Sequence, residues 1–234
     1  MGPTATPQRP HPVPRPAPAG RAFHHGHLRQ ALIDAALAAP DIEGLSLRQL
    51  AAGLGVTAAA AYRHFGSRED LLLEVARVGF DRLLARFADA FELARPPADA
   101  ADALARMQRL AQAYLQFADD EPALWRLMFG AQGAGYRAAA RTPGRRSSYD
   151  HLPAALLGLH RAGVIARLPD ERDALFAWSA IHGAAALRIG RVPAALVPLP
   201  ELAREVASRV VDALRAPRAA NRTFNPSAPE GDLR

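Results

Sequence analysis

The chain has neither cysteine nor lysine among its 234 residues. Without cysteine it has no disulfide framework, no thiolate nucleophile and no cysteine-ligated zinc or iron–sulfur site. Its 29 basic residues are therefore all arginine, and 23 acidic residues leave a formal net charge of +6. This charge is compatible with a polyanionic partner but does not by itself demonstrate one.

Long apolar runs and catalytic motifs are also missing. No apolar run reaches the roughly 18 residues of a membrane span, and prolines occupy the place of a signal peptide's apolar segment. The sequence has no Gly-rich phosphate loop, no HExxH, no G-x-S-x-G and no nucleophile beside a base. We therefore expect a soluble cytoplasmic protein that is not an enzyme and that binds no cofactor or metal.

Both ends of the chain differ in composition from its middle. Residues 1–20 contain seven prolines and almost no large apolar side chain, and residues 217–234 are rich in Pro, Asn and Gly. Such segments cannot bury enough surface to offset the entropy of ordering, so we predict two disordered tails. Between them, helical periodicity with abundant Ala and Leu predicts an all-α fold.

An apolar stripe ended by Pro40 places the first helix, and capping signals place the next three. These four helices cover about 27–39, 47–53, the segment from a Thr57 cap to Phe65, and a long helix over 67–93. Ser46 and Gln49 have the spacing of a capping box, and Gly55 suits a sharp turn. The remaining helices are predicted at 98–118, 121–130, 146–162, 170–190 and 199–215, with a loop or frayed connection at 130–146.

A short helix, a glycine turn and a second short helix over residues 46–65 have the spacing of a helix-turn-helix, whose second helix fits the major groove. The alternative is a plain helical hairpin in a bundle. Local charge favours DNA, since residues 1–68 contain seven arginines against three acidic residues.

The residues themselves resemble a known family. The run LSLRQLA over 45–51, then LGVT over 54–57 and YRHFGSREDL over 62–71, resembles the DNA-binding domain of TetR-type transcriptional regulators. The similarity covers about residues 22–72. It implies a three-helix N-terminal helix-turn-helix DNA-binding domain over 21–66. It also implies a helical-bundle ligand-binding and dimerisation domain over 67–216, with helix 67–93 connecting the two.

The resemblance also assigns DNA contacts by position. Tyr62 and Arg68 correspond to phosphate-contacting residues, and Thr57 begins the recognition helix, where it can serve the cap, a phosphate or a base. The other matching positions are Arg48, Ala58, Arg63 and His64. The arginines could equally be ordinary solvated residues, and Tyr62 could belong mainly to the core. Alanines at 58–61 can pack on a thymine methyl but cannot read a purine edge.

Three histidines precede the first helix. His24, His25 and His27 could ligate a metal, but they lack the i, i+4 spacing of a helical site and have no carboxylate nearby. We favour contact between His24, His25 and the DNA backbone.

The last two predicted helices carry candidate dimer contacts. Trp178, His182 and Gly183 resemble the Trp-His-Gly (WHG) type of C-terminal domain found in some TetR-type proteins. A stripe of small residues and an apolar ridge would build a four-helix interface in a homodimer, or would pack only within the subunit. The interface candidates are Ser179, Gly183, Ala186, Gly190, Leu202, Val206 and Val210.

Aromatic residues gather in the middle of the chain. Most are expected in the core, but some are candidates for a ligand cavity with a few polar groups. The ligand-binding candidates are Tyr114, Trp125, Phe129, Trp178 and His182, with Gln112 as a further polar group.

Taken together, the sequence predicts a ligand-responsive repressor. It would bind a palindromic operator on double-stranded DNA as a homodimer and be released by a small apolar effector. An activator, a low-specificity DNA-binding protein without a ligand, and a purely structural helical dimer remain alternatives.

Overall fold

The structure is a computed structural model that describes residues 27–140, 147–192 and 197–216. These residues form ten α-helices and one turn of 3-10 helix, with no β-strand in the described ranges. The all-α prediction is confirmed. The helices are α1 (Leu28–Leu37), α2 (Leu47–Gly53), α3 (Ala58–Tyr62), α4 (Arg68–Ala90), α5 (Ala100–Asp120), α6 (Pro122–Phe129), α7 (Gly133–Ala140), α8 (His151–Arg161), α9 (Glu171–Ile189) and α10 (Leu199–Arg215). The predicted tails, 1–20 and 217–234, lie outside the described residues.

Helices α1 to α3 form a three-helix unit whose turns follow the predicted chemistry. The Ser46 side chain accepts from the Gln49 backbone N–H at 3.2 Å, and Gln49 accepts in return from the Ser46 N–H. This capping box begins α2. Gly55 has φ +70°, a left-handed conformation that favours glycine at the turn into α3.

Two helices end earlier than the sequence predicts, and a buried phenylalanine explains each end. Helix α3 stops at Tyr62, and a tightened turn carries Phe65 into the core. Helix α4 stops at Ala90 because Phe91 adopts an extended backbone and is itself buried. In both places the backbone leaves the helical conformation and the phenylalanine side chain enters the core.

Helix α4 connects the three-helix unit to the remaining helices. Ser67 begins it through a capping box with Asp70, and its 23 residues pack against α1, α5, α6 and α7. Gly79 brings α4 close to α6: a Cβ at this position would collide with Met128 and lie 3.0 Å from Leu124 Cδ1.

Helix α5 is the centre of the C-terminal bundle and packs against α4, α8, α9 and α10. Two of its arginines hold the turn that follows α4. Arg109 Nε donates to the Ala90 carbonyl at 2.8 Å, and Arg106 Nη2 donates to the Pro96 carbonyl at 2.9 Å. Arg106 also donates to Asp102, and this hydrogen bond is the main reason that the pKa of Asp102 falls to about 2.

The stretch 130–146 departs from the sequence prediction of a loop. Residues Gly133–Ala140 form helix α7, which packs against α4 and α6. Alanine has the highest helix propensity, and this segment contains four alanines around Tyr136, which is buried. The glycines obscured a helix that tertiary packing stabilises.

Candidate DNA-binding interface and regulatory core

Helix α3 has one face in the core and one face open to solvent. Ala60 and Ala61 are buried, whereas Thr57, Ala59 and Arg63 are exposed and Tyr62 is 46% exposed. Ala58 lies half-buried between the two faces. The outer face is therefore free to enter a groove, and Tyr62 does not belong mainly to the core.

Thr57 has a structural task in the free protein. Its side-chain oxygen accepts from the Ala60 backbone N–H at 3.2 Å, which caps α3. Because this bond uses the oxygen as an acceptor, the hydroxyl proton remains able to donate to a phosphate.

Arg68 is partly committed within the protein. Its Nε donates to the Leu45 carbonyl at 2.7 Å, which joins the start of α4 to the residue before the α2 cap. One Nη group lies 3.5 Å from Glu69, and the side chain is 33% exposed. A phosphate contact by Arg68 would therefore use the Nη edge of the guanidinium.

The other candidate DNA contacts are at or near the surface. Arg48 and Arg63 are exposed, and His64 is half-buried. Arg29, by contrast, makes contacts within the protein: it pairs with Glu74 at 3.1 Å and stacks over the Phe65 ring. His24 and His25 lie outside the described residues.

Five ring-bearing residues form a continuous cluster in the bundle, which we call the aromatic cluster. The Phe129 ring is central, with centroid distances of 5.4 Å to Trp125, 5.1 Å to His182 and 6.0 Å to Tyr114. Trp178 lies 5.1 Å from Tyr114. The structure thus brings together all five predicted ligand-binding residues. Gln112, the further polar candidate, is exposed on α5.

A directed hydrogen-bond chain runs through this cluster. Trp125 Nε1–H donates to the Tyr114 hydroxyl oxygen at 3.0 Å, and that oxygen lies 2.7 Å from His182 Nδ1. Because an indole nitrogen is only a donor, the tyrosine oxygen accepts from Trp125, and we assign the tyrosine's own proton to the bond with His182 Nδ1. In this assignment His182 is neutral, with its proton on Nε2.

Burial stabilises these neutral forms. Desolvation raises the pKa of the Tyr114 hydroxyl far above its ordinary value, against smaller opposing effects of Trp125 and Arg137. Desolvation lowers the pKa of His182, and the positive charge of Arg137 lowers it further. Both shifts agree with a neutral imidazole accepting a hydrogen bond from a neutral phenol.

A cavity of about 30 Å³ lies beside the cluster. Tyr114 and Trp178 line it together with apolar residues of α4, α5, α8, α9 and α10, including Met107 and Val206. Trp125, Phe129 and His182 do not line it. Ligand pockets usually measure roughly 300–1,000 Å³, so an organic ligand would have to displace side chains here.

The cluster is connected to the three-helix unit through α4 and through the turn after α6. Phe80 of α4 packs edge-on against Phe129 at 5.9 Å. In the turn after α6, a Cβ at Gly130 would lie 3.4 Å from Glu43 Oε1 in the loop between α1 and α2. The turn between α6 and α7 therefore lies beside the three-helix unit, and α7 itself packs against α4 and α6. The sequence prediction of a loop over 130–146 does not include this helix, and the buried Tyr136 among alanines is the available signal for it.

The predicted dimer residues divide between the surface and the core. On α9, Ser179 and Ala186 are exposed, as is Gly190 directly after the helix, and a Cβ at Gly183 would meet only open space. Leu175 and Phe176, which are 63% and 48% exposed, and the exposed Leu187 extend this face. On α10, Leu202 and Val206 are half-buried, but Val210 is 3% exposed. Because Val210 packs inside the subunit, it is not available to a partner.

None of the described helices combines the length and apolar character that crossing a bilayer requires.

Comparisons with known proteins cover both halves of the chain. Residues 32–75 match the model of bacterial regulatory proteins of the tetR family, and residues 107–214 match that of a tetracyclin repressor-like C-terminal domain. Among curated proteins there is no significant match.

Solved structures resemble the chain over most of its length. A Rhodococcus sp. RHA1 protein of unknown function is 30% identical, with 84% of this chain and 100% of that protein covered and a TM-score of 0.64. A putative transcriptional regulator from Pseudomonas aeruginosa PAO1 is 20% identical, with 83% and 93% covered and a TM-score of 0.60. The TetR family transcriptional regulator PfmR from Thermus thermophilus is 20% identical, with 78% and 97% covered and a TM-score of 0.56.

Helix α3 is capped by Thr57, belongs to a three-helix unit and exposes one face to solvent. The family models match both that unit and the helical bundle that follows it in the chain. The protein therefore belongs to the tetR family of bacterial regulatory proteins and is a DNA-binding transcriptional regulator.

Proposed function

We propose that the protein is a repressor that binds a palindromic operator as a homodimer and leaves it when a small, mainly apolar molecule binds the aromatic cluster. One observation carries this proposal: α4 begins directly after the recognition turn and brings Phe80 against Phe129, the central ring of the cluster. A shift of Phe129 therefore acts on the helix that positions α3.

The DNA contacts follow from the exposed face of α3 and its surroundings. Tyr62 and the Nη edge of Arg68 contact phosphates, Thr57 donates its hydroxyl proton to a phosphate, and Ala58 packs against a thymine methyl. Further contacts come from Arg48, Arg63, His64, His24 and His25. Because the operator is bacterial chromosomal DNA, the protein acts in the cytoplasm.

The homodimer forms through the exposed apolar face of α9. Ser179, Gly183, Ala186 and Gly190 give a surface with small side chains, so a second α9 can approach closely. Leu202 and Val206 border it from α10. A second copy of the chain suits this face because a TetR-type regulator has two recognition helices for two half-sites.

The ligand enters by enlarging the small cavity between Tyr114 and Trp178. Met107 lines this cavity, and methionine adapts its shape readily. Trp178, His182 and Gly183 share α9, and Trp178 stacks on His182 at 5.9 Å. This arrangement supports assignment to the Trp-His-Gly type of C-terminal domain.

One observation favours a second candidate, a low-specificity DNA-binding protein without a ligand. The outer face of α3 has only short side chains at Ala58 and Ala59, which cannot form paired hydrogen bonds with a purine.

Selection of bound fragments from genomic DNA, followed by titration of the best fragment and of random DNA, separates these candidates. We expect the selected fragment to be palindromic and to bind about 10³-fold or more tightly than random DNA. Equal competition by random DNA at every salt concentration contradicts operator recognition and favours the second candidate. A transcription assay with the same fragment then distinguishes repression from activation.

A further inference from the structure

Two groups beside the Phe129 ring, the imidazole of His182 and the guanidinium of Arg137, can donate hydrogen bonds. The chain from Trp125 through Tyr114 to His182 leaves the Nε2–H of His182 as a donor, and among the described residues this N–H has no hydrogen-bond partner. His182 is half-buried on α9, and its ring lies 5.1 Å from Phe129.

Arg137 of α7 lies against the same phenylalanine. Its guanidinium carbon is 5.8 Å from the Phe129 centroid. Its positive charge also lowers the pKa of both Tyr114 and His182. No carboxylate in the described part of the chain forms an ion pair with it. A cation and an N–H donor thus lie against one ring, and neither has an acceptor among the residues that the structure describes.

From this juxtaposition we infer that the effector is an organic acid, with a carboxylate bound by Arg137 and His182 and an apolar body that enters the cluster beside Trp178. This inference rests on the proposed ligand-responsive function. A guanidinium pairs with a carboxylate through two parallel hydrogen bonds. His182 supplies one more donor, and the apolar cavity of about 30 Å³ between Tyr114 and Trp178 must widen to hold the rest of the molecule.

The natural fluorescence of the protein provides a direct test. The chain contains two tryptophans, Trp125 and Trp178, and both belong to the aromatic cluster. A ligand bound there changes their emission without an added label. The probes are straight-chain acids of six to twelve carbons and phenylalkanoic acids, each compared with its own primary amide, in the absence of DNA.

We expect at least one acid to bind about tenfold or more tightly than its amide, a difference of the size that one charge-assisted pair provides. In Arg137→Gln this preference should disappear while the amide binds as before. Arg204→Gln is the matched control, because it removes the same charge from the exposed face of α10. Its preference for the acid should be unchanged.

Three results would overturn the inference: no acid binding at millimolar concentration, acids and amides of equal affinity, or an acid preference that survives in Arg137→Gln. The proposed repressor function is tested separately by adding each acid to the operator complex. Acids that bind but leave operator affinity unchanged contradict ligand-responsive release and leave the carboxylate site intact. Release by acid and amide alike supports a ligand response and refutes the carboxylate site.

Discussion

Tyr114 and His182, which are 68 residues apart in sequence, are joined by a hydrogen bond of 2.7 Å between the hydroxyl oxygen and Nδ1. Trp125 donates to the same oxygen inside the core. One hydroxyl group therefore connects α5, α6 and α9, the helices that carry the aromatic cluster.

Replacing Tyr114 by Phe should lower the free energy of unfolding by about 1–3 kcal/mol, because the buried Trp125 N–H loses its acceptor. Urea denaturation measures this change. Tyr149→Phe is the control, since Tyr149 is exposed. Equal stability of Tyr114→Phe and the unmodified protein would show that the hydrogen bonds of the Tyr114 hydroxyl contribute nothing to the free energy of unfolding.

Stability should depend on the protonation of His182. Burial and Arg137 lower its pKa below the ordinary value of 6.5, so the unfolded chain takes up a proton before the folded one. The free energy of unfolding should therefore fall as the pH drops below about 6.5. His182→Gln keeps an acceptor for Tyr114 and should show a shallower fall between about pH 7 and 5. Parallel stability curves for the two proteins would contradict this assignment.

Gly79→Ala should separate α4 from α6. The added Cβ collides with Met128 and comes within 3.0 Å of Leu124 Cδ1, and both side chains are buried, so they must repack. We expect a loss of about 1–3 kcal/mol in thermal or urea unfolding, the usual cost of overpacking, together with an altered response to effector. At Gly53, in the last position of α2, a Cβ meets nothing within 4 Å. Gly53→Ala should therefore leave stability unchanged or slightly higher.

Arg68→Gln should weaken binding to the operator and to random DNA by similar factors, since its Nη edge is assigned to a phosphate. The slope of log affinity against log salt should become shallower by about 1. Arg95→Gln removes an exposed arginine from the turn after α4 and should leave both quantities unchanged. A loss confined to one operator base pair would reassign Arg68 to base recognition.

Ala186→Glu should convert the dimer into monomers, because the charge lies in the middle of the exposed α9 face and opposes its own copy across a symmetric interface. Light scattering at micromolar concentration measures the mass. Ser208→Glu adds the same charge to the exposed face of α10 and should remain dimeric. A monomeric unmodified protein would remove the interface altogether.

The sequence predicts most of this fold because local chemistry determines the helix starts. Ser46, Thr57 and Ser67 each cap a helix as expected, and their hydrogen bonds involve residues only three positions away. The helix ends at Tyr62 and Ala90 are harder to predict from the sequence, because they depend on the burial of Phe65 and Phe91 against residues distant in the chain.

The sequence predicts which residues form the candidate site but not how they bond to one another. The aromatic residues of α5, α6 and α9 can be identified from the sequence, but the hydrogen bonds among them depend on tertiary contacts. The prediction of a loop over 130–146 gives no reason to select Arg137, which α7 places against Phe129. Val210 was misplaced because four-residue spacing identifies an apolar ridge without showing which element covers it.

The two arginines of α5 hold α4 at its Ala90 end, whereas its Ser67 end is attached to the three-helix unit. Its 23 residues make a rod about 34 Å long. If α4 rotates by about 5° about Ala90, a helix of this length moves its Ser67 end by about 3 Å. A change of a few tenths of an ångström near the pivot thus becomes a step comparable to the rise of one DNA base pair at the recognition helix.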